Sequence, residues 1–178
     1  MQNRSPQDND IAQIKTPPHS IEAEQAVLGG LLLDRDAWDK IDGLLSPSDF
    51  YSKNHRIIFE AIYTLYNEMQ TVDILTVSDH LKQKEVLEEI GGLPYLATLA
   101  QDMPSVSNIA AYANIVYDRS VIRKLIAVGT NIADSGFNPD GRSSNELIQF
   151  AEQAVFAIAE QGTKQDAGLI DIRDVLKS

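Results

Sequence analysis

From about Val106 to Ser135 nothing in the chain interrupts a helical pattern, and this stretch constrains the fold more than any other. At 1.5 Å per residue such a helix reaches roughly 45 Å, which is long for a small globule. Along it Val121, Leu125, Val128 and Ile132 recur at spacings of four, three and four, while Ile115, Ile122, Ile126, Gly129 and Ala133 lie on the adjacent stripe. The apolar face is therefore unusually wide. "GFNPDGRSS" follows, with two glycines, an Asn-Pro and an Asp-Gly, and reads as a strong turn. Ser143, with Glu146 three places later, has the form of a capping box that opens a second helix. In that helix Leu147, Ala151, Ala154 and Ile158 repeat the same spacing, and Ile148 and Val155 widen it. The two helices are expected to fold back on each other as an antiparallel hairpin.

Two wide apolar faces cannot both be buried by one hairpin. At about 25 cal/mol per Å² of apolar area, several wet aliphatics per helix cost several kcal/mol, comparable with the whole stability of a small domain. The cover is either the chain's own earlier helices or a second copy in a four-helix arrangement. A head of roughly 90 residues has a radius well short of the long helix's reach, which favours the second copy. Val121, Ile122, Leu125, Ile126, Val128, Ile132, Leu147, Ala151, Ala154 and Ile158 are accordingly the candidate interface.

Residues 1–16 are polar and rich in Asn, Gln and Asp, and are expected to be a disordered tail ending at Pro17 and Pro18. Ser20 is a plausible N-cap, with Glu22 and Glu24 in the first turn where the helix dipole favours acids. That helix carries the pair Gly29-Gly30 inside "AVLGGLLLD". A phosphate cradle would want a lysine or hydroxyl after the glycines, and none follows. The aliphatic run from Ala26 to Leu33 is far below the roughly 20 residues that span a bilayer. Each glycine costs about 1 kcal/mol against alanine in a helix, a cost that makes sense where another helix backbone approaches closely. A short helical stretch over Asp36 to Leu45 leads to "SPSDF", which suits a turn. Ile58, Ile62, Leu65 and Met69, with Phe59 and Tyr66 beside them, predict a broad buried face, and Ile74, Val77 and Leu81 form another stripe. Gly91-Gly92 breaks the chain, and Pro94 fits the first turn of the next helix. Alternating runs bounded by hairpin turns are missing. The expected fold is all-α: a compact multi-helix head over residues 17–104, then a long helical hairpin over 105–161 that mediates dimerisation.

Fifteen Lys and Arg against twenty-six Asp and Glu give a formal charge of −11, so the surface as a whole repels phosphate backbones. The absence of cysteine removes disulfides, thiolate metal sites and thiol nucleophiles, and fits the cytoplasm. No G-x-x-x-x-G-K-[ST] phosphate loop occurs. His19, His55 and His80 are scattered without metal-ligand spacing and read as surface or partly buried residues. The acidic pairs Asp34 with Asp36 and Glu88 with Glu89 read as solvated faces. No catalytic, cofactor-binding or metal-binding residue is assigned. Arg119, Arg123 and Lys124 form the one notable basic cluster, read as solubilising charge or as ion pairs across a hairpin or dimer rather than as a nucleic-acid contact. Trp38 and the tyrosines at 51, 63, 66, 95, 112 and 117 are read as core and interface residues, not as base-stacking platforms.

"PPHSIEAEQAVLGGLLLD", "DFYSKNHRIIFEAIYTLY", "VDILTVSDHLKQ", "GGLPYLATLA" and "NIAAYANIVYDRSVIRKLI", in this order, closely resemble the N-terminal domain of the DnaB-like replicative helicases of bacteria. The resemblance runs from about Lys15 to Gln161. It implies a helical head and hairpin, with hairpins paired between subunits and three such dimers forming a collar on a hexamer. It further implies docking of primase on that collar, through primase's C-terminal helical domain. A helicase loader is a further candidate partner, and single-stranded DNA is engaged only by the full-length hexamer. Residues 162–178, with "IDIRDVLKS", look like the start of a linker to a RecA-like ATPase domain. That domain would carry ATP and Mg²⁺ and drive 5′ to 3′ unwinding at the replication fork. Ile126, Ile132 and Leu147 are placed by the resemblance among the hairpin residues that control subunit packing and the response to primase. Two other classes compete: a stand-alone helical adaptor that dimerises and binds a helicase or primase, and a small all-helical enzyme, for which no convergent polar pocket is legible.

Overall fold

A computed structural model describes the backbone of residues 15–175 and the surroundings of side chains 15–162. Among the described residues there are no strands. Six helices follow one another: α1 Ile21–Leu33, α2 Lys53–Asn67, α3 Ile74–Gln83, α4 Gly92–Gln101, α5 Ile109–Phe137 and α6 Ser144–Val175. Short 3-10 turns occupy Arg35–Lys40, Pro47–Asp49 and Val106–Asn108.

α1 is the central element of the head and packs against α5, α4 and α2. Its start is fixed by Ser20, whose side chain accepts from the Ala23 amide. Every residue from Ala26 to Leu32 is buried, so α1 is apolar all round, as a helix enclosed by its neighbours must be. Gly29 is what lets α4 approach. A Cβ built there would collide with the Leu99 carbonyl oxygen, so the contact is with helix backbone, whereas at Gly30 the nearest atom is Cδ1 of Ile109 at 2.8 Å. α2 is amphipathic and buries Ile58, Phe59, Ala61, Ile62 and Leu65 against this core. Trp38 closes one end, stacked on Phe59 with centroids 5.7 Å apart and tilted on Tyr66 at 4.7 Å. The chain turns into α4 through Gly91 and Gly92, both at positive φ, a conformation that glycine adopts without strain.

The stretch expected to be helical over Asp36 to Leu45 is instead a 3-10 turn ending at Lys40, because Ile41 already leaves helical geometry. Met69 does not join the buried stripe of α2. The helix ends at Asn67, Met69 sits at φ 57°, and its side chain is 94% exposed. The long helix begins at Ile109, three residues after Val106, which opens a 3-10 turn. At its far end the Ser143–Glu146 box is formed: the Ser143 amide donates to Glu146 Oε2 at 2.6 Å, and the Glu146 amide donates to Ser143 Oγ at 3.3 Å. The expected tail lies outside the described residues except for its last two positions. Over the expected linker, 162–178, the backbone of α6 runs on as helix to Val175.

Candidate interaction surface on the helical hairpin

α5 serves two neighbours in succession. Its first half turns Ile109, Ala113, Val116 and Ser120 into the head, and all four are buried. From Val121 onward Ser135 is the one buried residue among those described, and the helix pairs with α6 instead. The handover between these halves is polar. Ser120 Oγ donates to Asp49 Oδ1 at 2.6 Å, and Lys124 Nζ donates to the same oxygen at 3.2 Å. Asp49 Oδ2 accepts from the Ser46 amide at 2.8 Å, so this buried carboxylate also holds its own 3-10 turn. Arg123 donates through Nη2 to the Asp49 carbonyl at 2.6 Å and through Nη1 to the Pro18 carbonyl at 2.7 Å. Its guanidinium lies 5.6 Å from the centroid of the Tyr51 ring, on which His19 stacks. Burial pushes the Arg123 pKa down, and the carboxylates of Glu24 and Asp49 pull in the opposite direction. The basic cluster therefore differs from its sequence reading. Arg123 and Lys124 clamp the hairpin's first helix to the head, and Arg119 pairs at 3.6 Å with its own neighbour Asp118.

A second buried polar group braces the head beneath this junction. Glu24 is 1% exposed and accepts from the Tyr51 amide at 2.5 Å, from the Ser52 amide at 3.3 Å and from His55 Nδ1 at 2.6 Å. The other ring nitrogen of His55 is 2.6 Å from the Tyr95 hydroxyl, which receives Gln25 Nε2 at 3.4 Å. One chain of contacts thus links α1, the start of α2 and α4. His55 is fully buried, where a surface or partly buried residue is expected, and the first-turn acid Glu24 is a structural acceptor rather than a dipole partner alone. A signal existed: Glu24 shares the stripe of Val27, Leu28 and Leu31, a polar residue where an apolar one is expected, and such a residue needs a buried partner.

The hairpin's apolar residues divide into two sets. Val121, Val128, Ile132, Leu147, Ala151, Ala154 and Ile158 are half-buried, as is Ile122. Leu125 and Ile126 remain 52% and 51% exposed, and on α6 Ile148, Val155 and Phe156 remain 56%, 45% and 62% exposed. Leu125 and Val155 line one groove between α5 and α6, floored by Tyr117, Val121 and Ile158 and holding about 380 Å³. Val155 and Phe156 continue the apolar surface along α6 through Ala151 and Ala159. Singly exposed apolar residues are ordinary, but a contiguous patch of this kind marks an interaction site. Among the described residues no group of three His, Cys, Asp or Glu could hold a metal ion, and no helix is long and apolar enough to cross a membrane.

A head that locks one half of a long helix, and a hairpin that leaves the other half's apolar face exposed, define an all-α scaffold domain. The chain belongs to the DnaB-like helicase N-terminal domain family, whose model matches residues 16–118. It is 40% identical over 169 residues to the replicative DNA helicase DnaB of Buchnera aphidicola subsp. Baizongia pistaciae, covering 95% of this chain and 36% of that protein. It is 40% identical over 171 residues to the DnaB of Haemophilus influenzae, covering 96% and 36%. The replicative DNA helicase DnaC of Bacillus subtilis is 36% identical over 167 residues, covering 94% and 36%. The chain thus spans about a third of the length of these curated relatives. The crystal structure of the N-terminal domain of DnaB helicase from Mycobacterium tuberculosis superimposes with a TM-score of 0.76 at 35% identity, covering 80% of this chain and 99% of that one.

Proposed function

We propose that this domain is the oligomerisation collar of a hexameric, ATP-dependent replicative DNA helicase that unwinds DNA 5′ to 3′ in the bacterial cytoplasm. Hairpins pair between subunits, three dimers close the collar, and primase docks on it. The motor, with ATP and Mg²⁺, is contributed by a RecA-like domain following this one, and single-stranded DNA is engaged by the whole ring. A helicase loader is a further candidate partner. The observation that carries the reading is the apolar surface that Leu125 on α5 shares with Val155 and Phe156 on α6, exposed along with Ile126 and Ile148 on the same hairpin. Family membership agrees with it, because the relatives are named as replicative helicases. Ile126, Ile132 and Leu147 lie along this hairpin and are assigned to subunit packing and, through it, to the primase response.

The test is sedimentation equilibrium of the chain alone, followed by titration with the C-terminal helical domain of a bacterial primase. Reversible self-association and saturable binding of that domain are expected. A strictly monomeric chain at high concentration overturns the collar, and self-association without primase binding overturns the docking role alone.

A further inference from the structure

The head carries a second concave surface, on the side built by Trp38 and distinct from the hairpin face. It is a cavity of about 240 Å³ with an apolar floor of Leu31, Trp38, Ile62 and Val72. Its mouth is bounded by Asp34 and Arg35 on one side and by Met69 to Thr71 on the other, where Arg35 donates to Thr71 Oγ1 at 3.4 Å. This volume lies below the roughly 300–1,000 Å³ of small-molecule sites and suits one or two apolar side chains.

Three features separate this cavity from an ordinary packing defect. Met69 stands at its rim, 94% exposed and at φ 57°, a backbone region that side chains other than those of Asn and Asp seldom adopt. The indole Nε1–H of Trp38 is buried with no acceptor among the described residues. The rim is also acidic. Asp34 and Arg35 both line it, and around them Asp39 and Asp42 act on the lining residue Tyr66 while Glu68 accepts from the lining residue Gln70 at 3.0 Å, so acids outnumber the one base. The field is felt locally: Tyr66 donates to Asp39 Oδ1 at 3.0 Å, and its phenol pKa is pushed up first by that hydrogen bond and further by Asp42.

We infer that this cavity docks a basic, apolar peptide segment of a partner protein, one large aliphatic or aromatic side chain entering it while flanking lysines or arginines meet the acidic rim. The apolar floor supplies the anchor pocket, and charge complementarity supplies the choice of partner. A second copy of this chain is a poor occupant, since with a charge of −11 it brings like charge to the rim.

The chain's single tryptophan lies in the pocket wall, so its emission reports occupancy directly. The probe is an acetylated, amidated peptide of sequence GKKLFKKG, titrated against the whole chain at low ionic strength. A saturable shift of indole emission is expected, absent with GEELFEEG and with GKKSSKKG. Reversing the rim with Asp42→Lys and Glu68→Lys together is expected to weaken binding by about tenfold. Met69→Asn keeps a residue tolerant of the left-handed backbone, so the fold is retained while apolar rim area is lost and the shift diminishes. Equal shifts with the serine or the acidic peptide overturn the inference, as does binding indifferent to charge reversal. A shift that grows with the chain's own concentration in peptide-free solution also overturns it, by making a second copy the occupant.

Discussion

Ile126→Asp tests the hairpin face most sharply, because the residue is 51% exposed and so contributes about equally to the chain and to whatever covers it. Burying an isoleucine fully is worth about 1.5–3 kcal/mol, so covering the exposed half gains about 1 kcal/mol. In a two-fold dimer the residue occurs twice, which makes the lost burial about 2 kcal/mol. Each aspartate further leaves a polar group in an apolar contact, at about 1–3 kcal/mol per site. The sum, about 4–8 kcal/mol, weakens self-association by roughly three to six orders of magnitude at 1.4 kcal/mol per tenfold. Ile126→Val is the graded control: at about 0.8 kcal/mol per buried methylene, half of one methylene at two sites costs about 0.8 kcal/mol, close to fourfold. Sedimentation equilibrium over a concentration series measures both constants, and thermal melting of dilute samples checks that the monomer is intact, since exposed substitutions shift stability by only about 0.5 kcal/mol. If the aspartate variant dissociates no more readily than the valine variant, Ile126 does not lie in the contact.

Gly29→Ala is expected to destabilise the chain by about 2 kcal/mol, because its Cβ would meet the backbone of α4 and the loss exceeds the gain in helix propensity. Gly129, around which nothing lies within 4 Å, behaves oppositely: Gly129→Ala gains about 0.5–1 kcal/mol, and at about 2–4 °C per kcal/mol the two melting shifts must differ in sign. Glu24→Ala strands the amides of Tyr51 and Ser52 and the His55 ring, with an expected loss of about 3–5 kcal/mol in urea unfolding. Glu24→Gln keeps an acceptor and must cost less; equal losses contradict the assignment. The Tyr66 phenol is held above its ordinary 10.0, so its contribution to stability is complete below that pH and is lost as pH rises through the folded value. Asp39→Asn is expected to lower the Tyr66 titration followed by phenol absorbance, and an unchanged curve in that variant removes Asp39 as the cause.

The helices were legible because the forces that place them are local. Apolar repeats of three and four residues, Ser20 as a cap and the Ser143–Glu146 box act within one or two turns, and each reappears in the structure. The same locality explains the misreadings. The stripe of Ile58, Ile62 and Leu65 extrapolates naturally to Met69, but Glu68 caps the helix and the turn at φ 57° sends Met69 outward. His55 draws its partners from Glu24 and Tyr95, 31 and 40 residues away, and Arg123 finds Asp49 at a separation of 74. No spacing rule reaches that far. Gly29 falls between these cases: the cost of glycine in a helix shows that something must come close, and only the packing of α1 on α4 shows that it is the Leu99 carbonyl.

The direction in which the apolar face points is set by polar contacts as well as by the packing of Ile109, Ala113 and Val116 into the head. Packed aliphatic surfaces tolerate sliding and rearrangement at modest cost, whereas hydrogen bonds of 2.6 Å from Ser120 and Arg123 to one aspartate fix both rotation and register of α5. Because α5 is a single helix of 29 residues, whatever fixes Ser120 also fixes Leu125 and Ile126 about one and a half turns further on. Asp49 is itself held by Ser46, and the segment beside it, Tyr51 and Ser52, is held by Glu24. The buried carboxylates of the head thereby act in series to aim the hairpin. A domain braced in this way presents its apolar face at a defined angle, and the angle of a repeated contact decides whether an assembly closes or runs on as an open filament.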